Sequence, residues 1–132
     1  MNGKKILVID DEDHILNMIK NRLKANGYEV IAVSNGLDGL EAAKTGSPDL
    51  IILDVMLPDI NGKEVCLRLK EHESTAKIPV IFLTAKDSIE EKMEEYDCGG
   101  ECHITKPFDA NELLEKIKRT LEDIREFEQR EE

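Results

Sequence analysis

Short apolar runs that stop on a polar residue constrain this chain most. Residues 6–9 are wholly apolar and are followed by Asp10 and Asp11. Residues 50–53 are followed by Asp54, and the run 78–83 by Thr84. A shorter segment, 103–105, precedes Lys106 and Pro107. A brief, uninterrupted apolar run reads as a strand covered on both faces, the habit of parallel sheets under helices. Parallel strands all end on one edge of the sheet, so these polar residues converge there. Carboxylates gathered in one place repel each other and favour a bound cation. A lysine and a hydroxyl beside them suit a phosphoryl group.

Between the runs the pattern changes to helical spacing. Residues 14–25 carry Ile15, Met18, Ile19 and Leu23, and Asn26-Gly27 closes them as a C-cap. A second strand is expected over 28–33, then a helix over 36–44 through Leu37, Leu40 and Ala43. Asn61-Gly62 reads as a turn before a helix over 63–71 with Val65, Cys66 and Leu69 inward. The fourth strand covers 79–83, a short and acidic fourth helix 88–98, and the fifth strand 102–105. The last helix, 109–127, starts on Asp109 as N-cap with Glu112 at N3 and Phe108 placed to pack on Leu113. Strand–helix alternation with short loops implies right-handed crossovers and one α/β domain, a parallel sheet with helices on both faces.

At 132 residues the chain suits a single domain. We assign residues 1–121 to it and 122–132 to a charged extension of the last helix. A net charge of −11 argues against direct binding to nucleic acid or an anionic membrane, while leaving basic protein partners open. No stretch approaches the length of a membrane span, and the N-terminal apolar run is too short for a signal peptide. Cys66, Cys98 and Cys102 are an odd set without framework spacing, as expected of reduced thiols in a cytoplasmic protein. Cys98, Cys102 and His103 lack zinc spacing. The acidic stretch 87–97 reads as a solvated face.

Taken singly, each polar residue has a plainer role. Asp10 and Asp11 could cap a helix, Asp54 could form a turn, and Thr84 and Lys106 could be ordinary surface or strand residues. Their conjunction is another matter. Val8-Ile9-Asp10-Asp11-Glu12, Asp54-Val55-Met56-Leu57-Pro58-Asp59-Ile60-Asn61-Gly62, Thr84-Ala85 and Lys106-Pro107-Phe108 occur in one order and all at strand ends. In this the chain resembles the receiver domain of two-component response regulators, from about Lys5 to Leu121.

The resemblance implies a doubly wound, flavodoxin-like fold with five strands in the order 2-1-3-4-5 and five helices. It implies a signalling module that catalyses only its own phosphorylation and dephosphorylation. Asp54 would take a phosphoryl group from a histidine kinase or a phosphotransfer protein. Mg²⁺ would be held by Asp11, Asp54 and the backbone carbonyl of Met56, with Asp10 acting mainly through water or Lys106. Lys106 would contact a phosphoryl oxygen and Thr84 would bond another. Thr84 and the ring at position 103 would form the switch, and the face of the fourth helix, fifth strand and fifth helix would carry the signal. Apart from the resemblance, Ile117, Leu121, Ile124 and Phe127 keep a helical apolar stripe into the charged extension, which suits homodimer formation. A cis Lys106-Pro107 bond is also implied. Met56 and Lys86 occupy the places that flank the path of a hydrolytic water. This chain departs from the family pattern before the lysine: Gly100 replaces an alanine, Cys102 an aspartate, and His103 the usual Tyr or Phe.

Two other readings compete. A haloacid-dehalogenase-like phosphohydrolase also uses an aspartate nucleophile and Mg²⁺, but needs a second aspartate where Met56 stands. A flavodoxin-like binding module needs a phosphate-cradling loop where this chain has Asp10-Asp11-Glu12-Asp13.

Overall fold

The apolar runs become strands because helices cover both of their faces. A computed structural model describes residues 3–84 and 102–131, with side chains over 3–84 and 103–123. The strands β1 (Lys5–Ile9), β2 (Glu29–Val33), β3 (Leu50–Asp54), β4 (Val80–Thr84) and β5 (Cys102–Thr105) form one sheet in the order β2-β1-β3-β4-β5. Every neighbouring pair is parallel. The helices α1 (Asp13–Ala25), α2 (Gly36–Gly46) and α3 (Gly62–Glu71) follow the first three strands, and a C-terminal helix (Ala110–Glu131) follows β5. The helix expected over 88–98 lies outside the described residues, as do Lys86, Cys98 and Gly100.

Period-two alternation along the strands splits the core into two layers. Ile6, Val8, Ile52, Ile81 and Ile104 pack with α1 and the C-terminal helix through Leu16, Ile19, Leu113 and Ile117. Leu7, Ile9, Ile51, Leu53 and Phe82 pack with α2 and α3 through Leu40, Ala43, Val65 and Leu69. Phe82 is fully enclosed in the second layer, so Phe82→Ala would cost about 3–5 kcal/mol.

Two helical stripes run differently from the sequence expectation. On α1 the buried residues are Leu16, Ile19 and Leu23, while Met18 is 39% exposed. Met18 lies about 100° around the helix from Ile19 and so misses the sheet. On α2, Leu40 and Ala43 are buried but Leu37, in the first turn, projects to solvent.

The ends of the helices are set by local chemistry. Gly27, at φ 90°, ends α1 in a Schellman arrangement. Its N–H bonds Lys24 O at 3.1 Å and the Tyr28 N–H bonds Leu23 O at 3.2 Å. Asn61 is not a free turn residue: its Oδ1 accepts the Glu64 N–H at 3.0 Å and caps α3. Asp109 Oδ1 likewise accepts the Asn111 N–H at 2.8 Å at the head of the C-terminal helix.

Register then places the strand ends. Ile9 lies between Val33 and Leu53, and Asp54 lies beside Leu83. Asp10, Asp54, Thr84 and Lys106 therefore meet at the carboxyl edge, where open α/β sheets hold their ligands.

Candidate functional site

Asp54 is the last residue of β3 and is almost wholly buried. Its Oδ1 accepts the Met56 N–H at 3.0 Å, so the chain turns back on its own carboxylate. Its Oδ2 accepts a hydrogen bond from Lys106 Nζ at 3.0 Å. Lys106 follows β5, its N–H bonds Thr84 O at 2.6 Å, and its peptide to Pro107 is cis. Thr84 is buried at the end of β4.

Asp10 is fully buried after β1. Its Oδ1 accepts the Glu12 N–H at 2.9 Å. Its Oδ2 lies 3.1 Å from Lys106 Nζ, close enough for an ion pair. The approach is off the line of a hydrogen bond, and no other group among the described residues bonds that oxygen. Lys106 Nζ also reaches Glu12 Oε1 at 3.3 Å.

Three carboxylates thus share one ammonium. Burial pushes the Asp54 carboxyl above its ordinary range; Lys106 and the Met56 N–H oppose that rise, and Asp10 adds to it. For Lys106, burial alone would lower the pKa, but the Asp54 and Asp10 carboxylates outweigh it and hold the ammonium above its usual value. Carboxylate oxygens of Asp10, Glu12 and Asp54 lie within 4.8 Å of one another. A buried carboxylate oxygen with unfilled lone pairs, in a cluster of excess negative charge, fits a hard divalent cation. The donors are all oxygen, which favours Mg²⁺-like ions over zinc.

Sequence reasoning named Asp10, Asp54, Thr84 and Lys106, and these do come together. Asp11 is exposed and outside the converging group. Glu12, quoted in the motif without a role, stands inside it. Met56 contributes its backbone N–H, while its side chain is 70% exposed. His103 is half-buried on β5 opposite Phe82, and its carbonyl accepts a bond from Lys116 Nζ at 3.0 Å. Among the described residues no helix is long and apolar enough to cross a membrane.

Comparison with known proteins agrees with this geometry. The family model "Response regulator receiver domain" matches residues 6–118. The alkaline phosphatase synthesis transcriptional regulatory protein PhoP of Bacillus subtilis is 42% identical over 90% of this chain and 49% of its own length. The phosphate regulon transcriptional regulatory protein PhoB of Pseudomonas aeruginosa is 41% identical over 92% of this chain and 53% of its own. This chain therefore spans about half the length of the curated relatives it matches. Among solved structures, the chemotaxis response regulator CheY4 of Vibrio cholerae superposes with a TM-score of 0.86 at 30% identity, covering 89% of this chain and 98% of that one. The receiver domain of the Francisella response regulator 1452 gives 0.86 at 30% identity, over 92% and 99%. Neither competing reading finds support among these relatives. With its fold, its carboxyl-edge cluster and these relatives in agreement, the chain belongs to the receiver domains of two-component response regulators, the phosphoacceptors of that signalling system.

Proposed function

We propose that Asp54 is the acceptor and that the residues around it form the machinery of its phosphorylation. The observation that carries this reading is the Asp54 carboxylate, buried at the centre of the edge with Lys106 Nζ 3.0 Å away. A carboxylate oxygen of Asp54 attacks phosphorus. The bond from phosphorus to the donor breaks, and its electron pair leaves with the donor, an imidazole nitrogen when the donor is a phosphohistidine. Lys106 bonds a phosphoryl oxygen and offsets charge as the transition state forms. Thr84 bonds another oxygen once the group has arrived.

Asp11, Asp54 and the Met56 carbonyl would hold Mg²⁺, with Asp10 acting mainly through water or Lys106 and Glu12 adding negative charge beside them. When bound, the ion supplies the positive charge that two mutually repelling anions need before they can react. The protein's own share is positioning. The Met56 N–H and Lys106 fix the Asp54 carboxylate from two sides before a donor arrives.

The donor is a histidine kinase or a histidine phosphotransfer protein, and the setting is cytoplasmic. Phosphorylation biases a pre-existing equilibrium through Thr84 and His103 and alters the face built on β5 and the C-terminal helix. The test is intact mass after treatment with acetyl phosphate and Mg²⁺. One added phosphate in wild type and none in Asp54→Asn is expected. A full phosphate on Asp54→Asn overturns the assignment.

A further inference from the structure

The loop between β3 and α3 is fastened to a helix it does not belong to. Asp59 Oδ1 accepts the Gly36 N–H and Oδ2 the Leu37 N–H, both at 2.8 Å. Gly36 and Leu37 are the first two residues of α2, whose N-cap Asn35 already bonds the Asp38 N–H at 2.8 Å. Asp59 therefore takes two amides that the local cap leaves free. A carboxylate at that end also meets the positive pole of the helix. Though slight burial opposes it, these backbone bonds hold the Asp59 carboxyl below its usual range, so it stays ionised at neutral pH. The docking is close. A Cβ on Gly36 would come within 2.6 Å of Ile60 Cγ1 and 3.2 Å of Ile60 O.

The same loop carries Met56, whose N–H bonds Asp54 Oδ1 at 3.0 Å. Its base is closed by the Gly62 N–H to Val55 O bond at 2.8 Å. Beyond that base, the two Asp59 bonds tie the loop to α2, and the loop's own Ile60 N–H also bonds the Asp59 carboxylate. We infer that Asp59 is a positioning residue for the acceptor site. By pinning the loop to α2 it fixes the Met56 peptide, and through it the Asp54 carboxylate and the cation expected beside it. This inference rests on the proposed role of Asp54.

The experiment compares wild type, Asp59→Ala, Asp59→Asn and Asn35→Ala. It measures the initial rate of acetyl phosphate labelling and the Mg²⁺ concentration for half-maximal rate, with Mg²⁺ affinity by calorimetry on unphosphorylated protein. Asp59→Ala should slow labelling roughly tenfold and raise the Mg²⁺ requirement several-fold. Removing an acidic residue should, by charge alone, speed reaction with an anionic donor, so a fall reports geometry. Asp59→Asn, which keeps one acceptor oxygen, should fall between and is read in its place should Asp59→Ala not fold. Asn35→Ala weakens the start of α2 without touching the loop and should label like wild type. Equal rates and Mg²⁺ affinities for wild type and Asp59→Ala overturn the inference, as does an equal loss in Asn35→Ala. A wild type that takes no phosphate at Asp54 overturns the acceptor assignment instead.

Discussion

Lys106 Nζ and Asp54 Oδ2 stand 3.0 Å apart across 52 residues of sequence. Among the described residues the pair leaves the site short of positive charge, because Asp10 and Glu12 draw on the same ammonium. A buried carboxylate that must share its cation is costly to ionise. That cost is tolerable in a site whose work begins when further positive charge arrives.

Stability should report it. The folded-state pKa of Asp54 lies above its ordinary value, with burial as the main cause. The folded protein then binds the proton more tightly than the unfolded chain does. Stability from this group is full below the ordinary aspartate range and falls as pH rises through the raised value. At neutral pH without Mg²⁺, Asp54→Asn should therefore be more stable than wild type by about 1 kcal/mol. The gap should close on acidification below the aspartate range. Thermal melts of both proteins across pH check this. A less stable Asp54→Asn at neutral pH would show that Lys106 outweighs burial.

Mg²⁺ should stabilise the wild type by mass action, by about 1.4 kcal/mol at ten times its dissociation constant. Asp10→Asn should remove most of this. The informative comparison is between Asp11 and Glu12. Asp11→Asn should weaken Mg²⁺ binding about tenfold, and Glu12→Gln by less, since Glu12 is engaged by Lys106. Calorimetric titration of unphosphorylated protein decides. The reverse order would transfer the ligand role from Asp11 to Glu12.

What could be read from the sequence follows from the range of the forces involved. β1, β3 and β4 were legible because a strand buried on both faces must be apolar throughout. Asp10, Asp54 and Thr84 were legible because each stands at the end of such a strand, and Lys106, after the mixed strand β5, through the Lys106-Pro107-Phe108 motif. Glu12 was not: its contact with Lys106 spans 94 residues and depends on side-chain reach. Asp59 was hidden for a related reason. Its bonds to Gly36 and Leu37 cross 23 and 22 residues and join a side chain to backbone, which leaves no periodicity behind. Asn61 looked like a turn because the same residue types serve turns and helix caps.

The C-terminal helix runs to Glu131, past residue 118, where the family match ends. Ile117 and Leu121 are buried in the core, and in sequence Ile124 and Phe127 continue their spacing. The side chains of those two residues lie outside the described ones. We predict that the extension supports self-association of the phosphorylated form. Removing residues from Ile124 onward should lower the molar mass measured by light scattering under phosphorylating conditions. Unchanged mass in both forms would leave the extension a solvated, charged tail.

The phosphorylated state should be long-lived. Hydrolysis of an aspartyl phosphate needs a water aligned with the bond that breaks, and Met56 and Lys86 occupy the two positions expected to flank its approach. The Met56 N–H is committed to Asp54 at 3.0 Å, and its side chain ends in a thioether, too weak an acceptor to orient a water. Lys86, outside the described residues, is a cation with no lone pair to take the water's proton. Without a positioned nucleophile the reaction should run on the order of 100-fold slower than with one. A Met56→Asn, Lys86→Glu double variant supplies groups able to bind and orient the water, and should dephosphorylate correspondingly faster. Decay of phospho-Asp54 after removal of the donor, followed by intact mass in both proteins, measures this. A wild type that loses its phosphate within seconds, or a double variant no faster than wild type, would show that neither side chain controls the water.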